Sequence, residues 1–247
     1  MSVSKLTQRL FAAMGLNLTR LPGNRFDAMP DVLRRLAREG FAPTLIIDVG
    51  ANRGQWAATA SAVFARAPLH LIEPQAACRA DLDALAARRG ATDVHDVFVT
   101  SRGVDHVQVV GAGSGSTGAH VIDTTAGRTD GQSMPASTLD ALLAGRLRDA
   151  DRVLMKLDVE GHEIEVLDGA SAILPHVEVI VSEVAFYDLE CTGHPTFADV
   201  STALAGAGFV LYDFAALASR NRDGRLRVGD VVFVRRGSAL IADDRWA

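Results

Sequence analysis

From residue 44 onward the chain alternates short apolar runs with amphipathic stretches of helical length, and this alternation restricts its fold more than any other feature. Residues 44–49, 69–72, 94–100, 107–110, 153–157, 177–184, 209–214 and 231–235 read as strands. Residues 55–66, 75–89, 163–173 and 196–207 read as helices between them. Strands that alternate with helices must pair in parallel through right-handed crossovers, so the expected architecture is α/β, a doubly wound sheet covered on both faces. The last two strands, joined by the polar segment 219–229, predict a closing antiparallel hairpin. The glycine- and serine-rich stretch 111–118 predicts a loop, either a lid or a solvated hairpin tip.

Residues 1–40 carry a different pattern. Leu6, Leu10, Phe11 and Met14, then Val32, Leu33, Leu36 and Ala37, recur at helical spacing. Pro30 suits a first helical turn and Gly40 a stop, with a turn expected at 21–24. The expected organisation is therefore an N-terminal helical cap over residues 1–40, over or beside the ligand pocket, followed by one domain over 41–247.

Composition removes several classes of function. A net charge of −5 disfavours sequence-independent binding to nucleic acid or anionic lipid. No apolar run reaches the roughly 18 residues of a membrane helix, so no stable membrane insertion is expected. The N-terminus lacks the pattern of a secretory signal, and Cys78 and Cys191 offer neither zinc spacing nor a disulfide framework. A reducing, cytoplasmic location is the expectation. His70, His95, His106, His120, His176 and His194 are scattered without metal-ligand spacing and read as solvated or core side chains.

The first strand leads into Asp48-Val49-Gly50-Ala51-Asn52-Arg53-Gly54, a glycine-containing turn at the edge where open α/β sheets bind small molecules. Glu73 ends the second strand, where a carboxylate can accept both hydroxyl protons of a ribose. The turn lacks the G-x-G-x-x-G spacing of a dinucleotide site. Asp48, Gly50, Asn52, Gly54 and Glu73 are thus candidate ligands of a nucleoside-like cofactor. A nicotinamide-dependent oxidoreductase, or a binding protein without catalysis, remains the alternative from residues alone.

These residues, with Glu73-Pro74, Ser137-Thr138-Leu139-Asp140, the run from Lys156 to Glu163, the following Val166 to Ala170 and Glu183, make the chain resemble the FkbM family of S-adenosylmethionine-dependent methyltransferases over residues 44–185. The resemblance implies a class I methyltransferase fold, Rossmann-like, with a seven-stranded sheet and a reversed final hairpin. It implies S-adenosylmethionine as cofactor and O-methylation of a small molecule, probing toward sugar-containing or other specialised metabolites. Near the adenine, where the family shows an Ala-Leu-Ser-Asp-like run, this chain has Phe98-Val99-Thr100-Ser101, which adds Thr100 to the cofactor candidates. Homo-oligomerisation is left open.

On the fourth long strand, Lys156, Asp158 and Glu160 share one face if the chain stays extended. A lysine in a central strand needs a carboxylate partner, for which Asp158 and Glu163 are nearest in sequence. Asp158, Glu160 and His162 are candidate bases for a hydroxyl acceptor, Glu183 a candidate to orient it, and Lys156 belongs to the same polar row. The competing reading makes this row an ion-pair network that fixes the following loop. Asp158, Glu160 and Glu183 have the oxygen donors Mg²⁺ prefers, but no dedicated cage is evident and no metal is expected.

Overall fold

A computed structural model describes residues 11, 13–14, 24–110, 120–121, 132–188 and 193–243. The stretch 111–118, Cys191 and most of the first expected helix lie outside the described residues.

The main sheet is built on runs that are apolar on both faces. β2 (Leu45–Val49), β3 (Leu69–Ile72) and β9 (Val153–Leu157) are buried throughout. This is the pattern of central strands covered by helices on both sides. With β1 (Asn24–Asp27), β4 (Thr92–His95), β10 (Val177–Ala185), β11 (Phe209–Ser219) and β12 (Leu226–Arg235) they form an eight-stranded sheet in the order β1-β11-β12-β10-β9-β2-β3-β4. β10, β9, β2, β3 and β4 run parallel, whereas β12, β11 and β1 are antiparallel additions. A second sheet, β5-β8-β6-β7, comprises Phe98–Val99, Gln132–Ser137, His106–Val110 and His120–Val121.

Alternation along the strands divides the core into two layers. Ile46, Leu69, Leu71 and Leu154 pack with α1 (Met29–Arg38), α2 (Gln55–Val63) and α3 (Arg79–Arg89). Ile47, Val49, Ile72, Met155 and Leu157 point the other way, toward α4 (Leu139–Leu142), α5 (Glu163–Asp168) and α6 (Phe197–Gly206). The result is the expected mixed α/β, Rossmann-like architecture with its closing antiparallel hairpin.

Three details differ from the sequence reading. Residues 24–27, read as part of a turn and a cap, pair with Ala216–Ala218 and lengthen the sheet to eight strands. α1, the described helix of the expected N-terminal cap, packs into the sheet's own core, where Leu33 and Leu36 are fully buried. The apolar run 94–100 is not one strand: β4 ends at His95, and Phe98 and Val99 join the second sheet beside β8.

The strand order places a switch point between β2 and β9. From β2 the chain builds outward through β3 and β4, then returns to add β9 and β10 on the other side. The carboxyl ends diverge there and leave a crevice. Because α1 is part of the core, Leu36→Ala should lower stability by about 2–5 kcal/mol within a single cooperative transition. Denaturant unfolding with two optical probes checks this; a separate early transition for the N-terminal segment would detach it from the domain.

Candidate active site

At this switch point lies a cavity of about 360 Å³. Its floor is the turn after β2. Gly50 has a φ of 80°, and a Cβ at this position would stand 1.9 Å from the Asp158 carbonyl oxygen. Glycine is thus required where the ends of β2 and β9 approach most closely. The backbone turns left-handed again at Asn52, with φ 46°, which aims its N–H at Glu73 Oε2, 2.8 Å away.

Glu73 is buried and held at both oxygens, since Oε1 accepts the Gln75 N–H at 3.0 Å. Burial pushes its carboxyl above the ordinary range, and the two amide donors pull against that shift. The Gln75 side chain also donates to this carboxylate, so it is fixed by three hydrogen bonds. Ile72, Pro74, Val97, Phe98 and Val99 complete an apolar wall on this side of the cavity.

The opposite side is acidic. β9 ends at Leu157, and the chain then turns instead of staying extended: Glu160 has φ 53° and Gly161 φ 96°. Lys156, Asp158 and Glu160 therefore do not form the expected single row. Lys156 lies beneath the cavity with its side chain 3% exposed, its Nζ 3.0 Å from Asp158 and 2.9 Å from Asp230. Its partner from outside the motif is Asp230 of β12, not Glu163, whose Oε1 instead accepts the Gly161 N–H at 3.1 Å. The two carboxylates outweigh burial and hold the ammonium well above the ordinary lysine range.

Asp158, Glu160 and Glu183 line the cavity, with one carboxylate oxygen of each within 4.8 Å of the others. Burial, followed by the charge of Asp158, raises Glu160 to about 7 and Glu183 to about 8. This trio has the donors to hold a hard divalent cation. Arg227 and Val228 of β12 close the rim, and a smaller adjoining hollow of about 70 Å³ shares Glu160, Glu183 and Val228 while adding His194 and Pro195.

Of the sequence-derived candidates, Gly50, Asn52, Glu73, Asp158, Glu160 and Glu183 come together around the cavity. Asp48 sits below it, pushed up to about 7 by burial, with Oδ2 unpartnered among the described residues. Gly54 does not line the cavity; a Cβ there would meet Leu85 at 2.8 Å, so it serves the close packing of α3. Thr100 is buried on the far side of the wall, where its N–H donates to Ser137. His162 makes an edge-to-face contact with Phe98, 5.0 Å between centroids, and so stands behind the cavity wall without itself lining the cavity. In the Ser137–Asp140 segment, Thr138 caps α4 and Asp140 accepts the Ala172 and Ile173 N–H groups, which are structural roles.

Sequence reasoning missed Asp230, Arg227 and Val228. They reach the site through the long β10–β12 ladder, in which Glu183 faces Asp230, and no local spacing signals that pairing.

A family model described as the methyltransferase FkbM domain matches residues 48–211. No curated protein matches the chain significantly. Among solved structures, a precorrin-6y C5,15-methyltransferase from Geobacter metallireducens is 13% identical with a TM-score of 0.45, over 83% of this chain and 88% of that one. The magnesium protoporphyrin IX methyltransferase of Synechocystis, solved with bound S-adenosylhomocysteine (SAH), is 11% identical with a TM-score of 0.44, over 95% and 89%. Fibrillarin from Aeropyrum pernix, solved with bound S-adenosylmethionine, is 11% identical with a TM-score of 0.44, over 82% and 73%.

The raised carboxyls set a direction for stability against pH. Asp48, Glu160, Glu163 and Glu183 move from ordinary values of 3.8 to 4.5 up to about 7 to 8 on folding. The folded state holds their protons more tightly, so this stabilisation is complete below the ordinary values and is lost as pH rises through 7 to 8. The melting temperature of the ligand-free protein should fall between pH 5 and pH 8.5, and Glu183→Gln should flatten the decline. A melting temperature that rises over this interval in the wild type would contradict the assignment.

Proposed function

Because the chain belongs to the FkbM methyltransferase family, we propose that it methylates a hydroxyl oxygen of a small molecule, with a sugar-containing or related specialised metabolite as the acceptor class. Its cofactor is S-adenosylmethionine. The observation that carries the reading is the division of the cavity: a doubly anchored Glu73 on the β3 side of the switch point, and three converging carboxylates on the β9–β10 side.

The residues present suit the cofactor. Glu73 offers a carboxylate at the height of the ribose hydroxyls, and Ile72 and Val97 to Val99 offer apolar surface for a purine. When bound, S-adenosylmethionine supplies an electrophilic methyl group on a sulfonium. Transfer to oxygen is an in-line displacement, so the protein has two tasks: aligning the acceptor and removing its proton. The smaller hollow between Glu160, Glu183 and His194 adjoins the acid trio and is the acceptor side of the site.

Glu160 and Glu183 are the bases of choice. Their values near 7 and 8 lie close to neutral operating pH, where a base combines availability with proton affinity. Asp158, held by Lys156, orients the pair. A cytoplasmic setting accords with the buried free thiol of Cys78, and no helix among the described residues is long and apolar enough to cross a membrane.

Calorimetry provides the first check. The protein should bind SAH and not NAD, and Glu73→Ala should weaken SAH binding by about 1.5–3 kcal/mol, roughly tenfold to a hundredfold. Binding of NAD in place of SAH would reject the reading. The second check is the pH dependence of turnover on a hydroxylated acceptor. Turnover should rise through about pH 7 to 8, and Glu183→Gln or Glu160→Gln should lower it by roughly 10²–10⁴-fold. If only His162→Ala abolishes turnover, the base is the histidine.

A further inference from the structure

We infer that His70, Asp93 and His95 form a binding site for a late first-row transition-metal dication, with zinc as the ion their donors suit best. The three residues come from adjacent strands. His70 lies beside Asp93 in the β3–β4 register, and His95 lies beside Ile72 two residues further on. Strand alternation puts all three side chains on one face, so His70 and His95 meet although they are remote in sequence.

The geometry is close to that of a coordination shell. His70 Nδ1 and His95 Nε2 are 2.9 Å apart, and an Asp93 carboxylate oxygen is 3.6 Å from His70 Nδ1. All three donor atoms lie within 4.8 Å of one another. Tetrahedral zinc with bonds of about 2.0–2.2 Å separates its donors by roughly 3.3 Å, a value that lies between the His70–His95 and His70–Asp93 separations. Two imidazoles and one carboxylate favour zinc over magnesium, which prefers oxygen alone. Asp93 is half exposed, so solvent reaches the cluster from its side.

His70 Nδ1 and His95 Nε2 already face one another as a hydrogen-bonded pair. In the metal-free pair one ring donates its N–H to the other; binding requires that ring to carry its proton on its second nitrogen, with no net loss of a proton. The opposing charge is Arg146, whose Nη1 lies 3.2 Å from Asp93 Oδ2. That Oδ2 is also the oxygen facing His70 Nδ1, so Arg146, with its side chain 57% exposed, must turn outward for Asp93 to ligate a metal. The site also bears on the cofactor pocket, because the His95 carbonyl accepts the Glu73 N–H at 3.0 Å. A metal here clips the short edge strand β4 to β3 immediately beside that contact.

The full-length chain, stripped with EDTA and dialysed, is titrated with Zn²⁺ by calorimetry and with Co²⁺ by visible absorption. The expected result is one equivalent bound, with the intense d–d bands of low-coordinate Co²⁺ and a higher melting temperature. His95→Gln and the half-exposed Asp93→Asn should each weaken binding by at least roughly 10–100-fold. Arg146→Ala should tighten it, and Glu160→Gln should leave it unchanged. Melting in EDTA shows that each variant is folded, and Asp93→Asn keeps the test open if the histidine variant is not. Failure of either ion to bind the wild type overturns the site. So does binding that survives Asp93→Asn and His95→Gln, or binding that is lost with Glu160→Gln, which would move the ion to the acid trio. None of these outcomes depends on SAH binding or turnover.

Discussion

The site rests on the buried ammonium of Lys156. An unpaired charge in the middle of a fully buried strand costs several kcal/mol, and here it is compensated by Asp158 from the same strand end and Asp230 from β12. The pairing has a geometric consequence. It ties the turn after β9 to the antiparallel hairpin, and so places Arg227 and Val228 on the cavity rim. Replacing the trio by apolar residues of similar volume would remove the desolvation cost, but it would also release the tie that fixes Asp158 beside Gly50.

The same tie stabilises a turn that is unfavourable on its own. Glu160 occupies the left-handed region at a cost of about 1–2 kcal/mol for a residue with a Cβ. Its neighbour Gly161 has no space for a side chain, since a Cβ there would meet the His194 ring at 2.5 Å. The Glu163 carboxylate accepts the Gly161 N–H and closes the turn from the helix side. Such strain persists where the surroundings over-determine it. Here it brings Glu160 toward Asp158 and Glu183, where burial and mutual repulsion keep part of the cluster protonated near neutral pH.

How much was legible in the sequence follows from the range of the interactions involved. β3 and β9 coincide with their expected spans, because a run buried on both faces carries its signal in its own residues. Glu73, Asp158 and Glu160 were legible for the same reason, as they belong to short motifs at strand ends. β1 was not, because its place is set by backbone pairing with β11, which imposes no apolar pattern on Asn24–Asp27. The break in 94–100 was invisible because Val97, Phe98 and Val99 stay buried while passing from one sheet toward the other. Gly54 and Thr100 show the opposite error: motif residues at the right height whose side of the chain faces packing instead of the cavity. The His70–His95 contact is the extreme case, since only the β3–β4 register creates it.

The charge distribution of the cavity connects fold to chemistry. Glu73, Asp158, Glu160 and Glu183 line it, and Arg227 is the cation among the described lining residues. Lys156 contributes little outward charge, being already shared between Asp158 and Asp230. Carboxyls whose values are raised by burial and by one another gain most from a positive ligand, which offsets their repulsion and lets them ionise. A sulfonium donor arrives with that charge and leaves as a neutral thioether. A cleft lined by these four carboxyls and one guanidinium therefore suits a cationic donor better than its neutral product.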